Sequence, residues 1–245
     1  GDGRSKASHT RASDAGLEDG RTIDTLVKDS DIILSICPPR NAEDVARQVK
    51  QRAFTGLFVD CNAIAPEKSR LIAARFGYQN FVDGGIVGGP VWESGSGTRL
   101  YLSGERSKDI AALFNNSPLE TTIISGEIGA ASAMKMVFAA YTKGTTALLT
   151  AILGVAEKEG VRSVLESQWG QAFTEKTHQR VVANSAKAWR FEGEMQEIAA
   201  TFENARHPGG FHTAAAAVFK QLAQFKDKPA ADIVELLEAL NQSRN

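Results

Sequence analysis

From Ile128 to Ala156 the only charged residues are Lys135 and Lys143, and everything else is Ala, Gly, Ser, Thr or a hydrophobic residue. A run this long and apolar can form either a membrane span or a helix buried in protein. The lysines sit about two helical turns apart, and the run is rich in Ala, Thr and Gly rather than Leu and Ile. Both features favour the buried helix. Ser125 is suited to cap it, Glu127 to occupy its first turn, and Gly160 to close it after "AEKEG". Such a helix raises a question about its lysines, because taking an ammonium out of water costs several kcal/mol unless it is paired.

Upstream, short apolar runs alternate with helical stretches. "DIILSICPP" (31–39) reads as a strand stopped by its prolines, and "GLFVDCNAIAP" (56–66) repeats the design. "NFVDGGIVGGPV" (80–91) is a third strand running into glycines, and "TRLYLSG" (98–104) is a fourth. Between them "NAEDVARQVKQRA", "EKSRLIAARFG" and "SKDIAALFNN" read as helices, a spacing that predicts a doubly wound parallel sheet. Beyond about Ser125 the strand signals stop. Helical stretches follow: "VRSVLESQWGQAF", "TEKTHQRVVANSAKAWRF", "EMQEIAATFENA", "FHTAAAAVFKQLAQF" and "AADIVELLEALNQ". The expected fold class is α/β plus all-α. A partial Rossmann-type parallel sheet occupies residues 1–124, and the long connecting helix and a helical domain occupy 125–245.

With 245 residues, 42% hydrophobic, the chain can build two cores, and its net charge of −1 argues against a nucleic-acid binder. Cys37 and Cys61 are too far apart in sequence for a metal-ligand pair. They read as buried thiols in a reducing, cytoplasmic setting. No metal site, nucleic acid or membrane is expected. No leader is recognisable, and a first residue of Gly1 implies a start that lies upstream or was processed.

In a doubly wound sheet, ligands bind beyond the carboxyl ends of the strands. Those ends hold Cys37, Pro38 and Pro39, then Asn62, then Gly84, Gly85, Gly88 and Gly89. Four glycines there suggest a loop that a ligand approaches closely.

The order of these parts resembles the β-hydroxyacid dehydrogenases and their 6-phosphogluconate dehydrogenase relatives, in a subgroup with a distinct helical C-terminal domain. The family's substrate loop, D-x-P-V-S-G-G followed by G-x-L, is matched by "DGGIVGG" (83–89) and "GTRL" (97–100). Its catalytic helix, G-x-G-x-x-x-K-x-x-N-N, is matched by "GAASAMKMVFA", which places Lys135 on the family's catalytic lysine. The resemblance implies an NADP-dependent oxidoreductase acting on a small hydroxy, carbonyl or imine substrate. Hydride passes to or from the nicotinamide while Lys135 serves as general acid/base. A lysine desolvated in a cleft has its pKa lowered toward neutrality and can exchange protons. Lys143 is expected to pack its stem and hold its ammonium in water.

The resemblance further implies a homodimer. It places Val87, Gly88, Gly89, Tyr141 and Trp189 at the substrate, with Arg190, Phe211 and His212 as further cleft residues. Three departures remove polar groups: Val87 stands for a serine, Phe138 and Ala139 for two asparagines, and Gly193 for a lysine. They imply a less polar substrate.

The cofactor end departs most. No G-x-G-x-x-G occurs in the chain. If Arg4 and Ser5 are the family's pair that meets the adenosine 2′-phosphate, the first βα unit lies upstream. NADP is then favoured over NAD, because a guanidinium fork suits a phosphate. A non-catalytic relative, kept as a dimerising or binding module, is the alternative.

Overall fold

The computed structural model describes residues 6–124, 126–226 and 228–242. Helices α1 (Lys6–Asp14) and α2 (Ile23–Asp29) precede strand β1 (Ile32–Ser35). Then follow α3 (Ala42–Gln51), β2 (Leu57–Asp60), α4 (Pro66–Phe76), β3 (Phe81–Val87), β4 (Arg99–Ser103), α5 (Ser107–Leu113) and β5 (Glu120–Ile123). The five strands form one sheet in sequence order. All neighbours run parallel except β3 and β4, which are antiparallel with Gly84 opposite Leu102. The sheet is thus parallel-dominated, as expected, with one antiparallel pair. The β3–β4 connection has no helix to carry the chain back across the sheet, so the strand can only return alongside.

Strand β2 is buried along its whole length, as a central strand covered on both faces must be. On one face Phe58 stacks against Phe76 with centroids 4.4 Å apart, and α3 and α4 complete that core. On the other face Leu57, Val59, Val82, Leu100 and Leu102 meet Ile110 of α5.

Helix α6 spans Ala130–Lys158, 29 residues or about 43 Å. It begins later than expected, with Gly129 at the cap in a left-handed conformation (φ 97°), and Ser125 lies outside the described residues. Gly160, with φ 70°, ends it as anticipated. Five helices follow: α7 (Arg162–Trp169), α8 (Gln171–Ser185), α9 (Ala188–Asn204), α10 (Gly210–Gln221) and α11 (Ile233–Gln242). Their core gathers Met136, Leu149 and Leu153 of α6 with Met195, Ile198, Phe219 and Leu237. Small residues on α6 admit these neighbours closely. A Cβ at Gly154 would lie 2.5 Å from Leu240 of α11.

The β3 glycines serve packing before any ligand. Gly84 and Gly85 lie within the strand rather than in a loop. A Cβ at Gly85 would fall 2.6 Å from the Ala131 carbonyl and 3.1 Å from Lys135 Cβ, and one at Gly84 would fall 2.7 Å from Cys61 Sγ. The missing side chain of Gly85 lets α6 lie directly on β3, and that of Gly84 makes room for Cys61 beyond β2. Gly88, with φ 128°, turns the chain out of the strand, and Thr98 Oγ1 donates to Gly89 O at 3.0 Å to close the loop base.

Candidate functional site

The site begins with a buried carboxylate. Asp83 Oδ2 accepts from the backbone N–H of Gly129 and of Ser132 and from Ser103 Oγ, each at 3.0 Å. Its Oδ1 accepts from Ser69 Oγ at 2.8 Å and Ser132 Oγ at 2.5 Å. A negative charge at the amino end of α6 meets orphan N–H groups and the positive end of the helix dipole. Asp83 thereby fixes the start of α6 against β3. One helical turn beyond Ser132, Lys135 emerges at the end of β3, where its Nζ donates to the Ile86 carbonyl.

Lys135 opens into a cleft of about 390 Å³ between the end of β3, α6, α8 and α9. Along α6, Phe138, Ala139, Thr142, Lys143 and Thr146 line it at the 3.6-residue spacing of one helix face. Val87 and Gly88 close one end, and Arg180, Lys187, Arg190 and Glu194 come from the opposite wall. Burial pushes the Lys135 ammonium down to about 8. The positive charges of Lys143 and Arg190 add to that fall, and Glu194 opposes it.

Lys143 does not reach water as expected. Its side chain is 16% exposed, and its Nζ pairs with Glu194 at 2.6 Å and lies 5.1 Å from the Phe191 ring centroid. The lining is also more cationic than the missing serine and asparagines imply.

Of the residues expected at the substrate, Val87, Gly88, Arg190 and Lys135 converge, while Gly89, Tyr141 and Trp189 stay outside the lining. Tyr141 lies about 240° around the helix from Lys135 and is 67% exposed. Trp189 packs beneath Lys226, whose Nζ is 4.7 Å from its ring centroid. Phe211 covers Gly144 on the far side of α6. His212 is buried against Phe202, and desolvation lowers its pKa. Arg180 and Lys187 join the lining with no local sequence signal to mark them. Single basic residues on or beside a helix are too common to stand out.

On the sheet side, Cys37 and Asn62 meet at the ends of β1 and β2, with Cys37 N donating to Asn62 Oδ1 at 2.6 Å. The Asn62 amide donates to Ser35 Oγ and Asp60 Oδ2, each at 3.0 Å, so all its strong bonds are made within the protein. Burial pushes the neighbouring Asp60 carboxyl up to about 7 despite hydrogen bonds from Asn62. Pro38 is exposed beyond β1, next to exposed Ile36, and forms an apolar shelf at the sheet's carboxyl edge. Arg4 and Ser5 lie outside the described residues.

Helix α9 joins the two regions. One turn after Glu194, Glu197 accepts from Ala65 N at 2.8 Å and from Lys68 Nζ. It thus caps α4 at the end of β2.

A sheet whose end is crossed by one long helix bearing a cleft lysine, with a helical domain closing the other side, defines the β-hydroxyacid dehydrogenase-like fold. Within it, residues 153–222 match a domain of unknown function, DUF1932, from the last turns of α6 through α10. An uncharacterized 28.5 kDa protein of Methanothermus fervidus is 29% identical over 201 residues, 80% of this chain and 77% of that protein. The conserved protein MTH1747, of unknown function but with reported structural similarity to 3-hydroxyacid dehydrogenases, is 28% identical. It covers 91% of this chain and 85% of its own, with a TM-score of 0.62. The fold is also that of a Mycobacterium tuberculosis 3-hydroxyisobutyrate dehydrogenase solved with L-serine (16% identity, TM-score 0.64, 98% and 88% covered). A Myxococcus stipitatus imine reductase in complex with NADP+ shares it at 20% identity (TM-score 0.52, 97% and 89% covered).

Proposed function

We propose that the chain is an NAD(P)-dependent oxidoreductase of the β-hydroxyacid dehydrogenase type, with Lys135 as its acid/base. The observation that carries this reading is Lys135 itself. It is desolvated beside the end of β3, with its pKa lowered to about 8, in a cleft of substrate size. In carbonyl reduction its ammonium gives a proton to the substrate oxygen as hydride arrives at carbon. In alcohol oxidation its neutral amine removes the hydroxyl proton. The Ile86 carbonyl, accepting one proton of Nζ, holds the nitrogen in place and leaves its other positions for the substrate.

A nicotinamide dinucleotide, when bound, supplies or accepts the hydride. The residues present fit one flank of it. The exposed Ile36–Pro38 shelf offers apolar surface to a flat ring, and Asn62 holds the two strand ends in register beneath it. The relatives of this fold named as dehydrogenase and reductase support the cofactor class. NADP over NAD rests on Arg4 and Ser5.

An NADPH titration followed by cofactor fluorescence, with NADH alongside, tests the reading. Saturable binding with NADPH preferred is the expected result. Binding of neither favours the non-catalytic module, a reading prompted by the absence of G-x-G-x-x-G.

We also propose a homodimer. Val137, Tyr141, Leu148 and Val155 are exposed on α6 within about a 40° arc, on the side away from the cleft, with exposed Phe211 beside them. Light scattering should give about twice the 26.3 kDa chain mass, and a mass near one chain would overturn the assembly.

A further inference from the structure

The cleft collects five cationic side chains, Lys135, Lys143, Arg180, Lys187 and Arg190, against one carboxylate, Glu194. Glu194 is committed to Lys143. Among the described residues, Arg180, Lys187 and Arg190 form no ion pair. Arg190 and Lys143 crowd one ring, with the Arg190 guanidinium carbon 5.6 Å and Lys143 Nζ 5.1 Å from the Phe191 centroid. Like charges gathered along one concave wall raise the local positive potential, which draws an anion. The acidic groups needed to neutralise this wall are absent from the lining.

We infer that this cleft selects a substrate bearing two anionic charges, a hydroxy- or oxo-acid whose second anionic group is a carboxylate or a phosphate held by Arg180, Lys187 and Arg190. The proposal uses the oxidoreductase reading in one respect, the placing of the reacting carbon beside Lys135. Phe138 and Ala139 on α6 and Phe191 on α9 give an apolar wall for a short carbon skeleton. The arginines supply planar forks that bind carboxylate or phosphate through paired hydrogen bonds. The polar groups lost at Val87, Phe138 and Ala139 are therefore replaced by charge on the opposite wall, which reverses the sequence-based expectation of a less polar ligand.

The test is calorimetric titration of the whole chain, at fixed ionic strength, with three probes. 3-Hydroxybutyrate carries one charge. Malate is the same skeleton with its methyl replaced by a carboxylate, and 3-phosphoglycerate carries a phosphate beside its hydroxy-acid carboxylate. Malate or the phosphate should bind at least about tenfold more tightly than 3-hydroxybutyrate, with affinity falling as salt rises. Whichever of the two binds more tightly identifies the second group. Lys187 is exposed, so Lys187→Glu should fold and reduce the preference several-fold, while Arg190→Lys, which keeps the charge but loses the fork, should retain only part of it.

Equal affinity for all three probes, binding of none, or a preference untouched by Lys187→Glu combined with Arg180→Gln would overturn the inference. The oxidoreductase reading fails separately. A dianion preference in a chain that binds no dinucleotide and transfers no hydride keeps the anion site and removes the reaction. Turnover of monoanions at equal affinity does the reverse.

Discussion

Replacing Asp83 with alanine should destabilise the protein by about 3–5 kcal/mol, the range for removing one member of a buried charged network. The carboxylate receives five hydrogen bonds, two from backbone N–H groups at the start of α6 and three from Ser69, Ser103 and Ser132. Alanine would leave buried donors without acceptors, each costing about 1–3 kcal/mol. Asp83→Asn keeps one acceptor oxygen and should fall between. Urea unfolding monitored by circular dichroism measures the change. A loss under about 1 kcal/mol for Asp83→Ala would mean that apolar packing alone holds α6 on β3. Because Lys135 follows Ser132 by one turn, a loosened helix start should also blunt activity in variants that remain folded.

The second large effect is expected at Lys135. Lys135→Met should lower turnover by about 10²–10⁴-fold, the usual contribution of a positioned acid/base, with dinucleotide affinity unchanged. The pH profile gives the sign. With a pKa of about 8, the ammonium predominates below that value and the amine above it. Carbonyl reduction should therefore decline as pH rises through about 8, and alcohol oxidation should increase over the same interval. Lys135→Arg keeps a charge that does not titrate there, so it should be slow and lack that limb. Turnover within about threefold of wild type in Lys135→Met would remove the residue from the chemistry.

Much of this architecture was legible from local pattern. Breaker residues bound β1 and β2, and the uninterrupted apolar run marks α6 together with its unusual lysine. Strand β5 escaped notice because "ETTI" is half exposed and shows no alternation or continuous apolar signal. Gly170, whose positive φ separates α7 from α8, leaves no break in the helical pattern that starts at Val161. Gly84 and Gly85 are packing glycines, Gly85 admitting α6 and Gly84 admitting Cys61. Glycines that admit a helix and glycines that admit a ligand look the same in one dimension.

The chain's periodicity by itself determined that the strands precede one long helix, and that a lysine must lie on that helix among small residues. Those are properties of neighbours in sequence, set by backbone sterics and the segregation of apolar side chains from water. The tertiary structure alone decided the reversal of β4, the five-donor seat of Asp83, and the meeting of Lys135 with Arg180, Lys187, Arg190 and Glu194. Coulomb forces and hydrogen bonds depend on distances in space. Those distances exist only after α6 lies on β3 and α8 and α9 close over it.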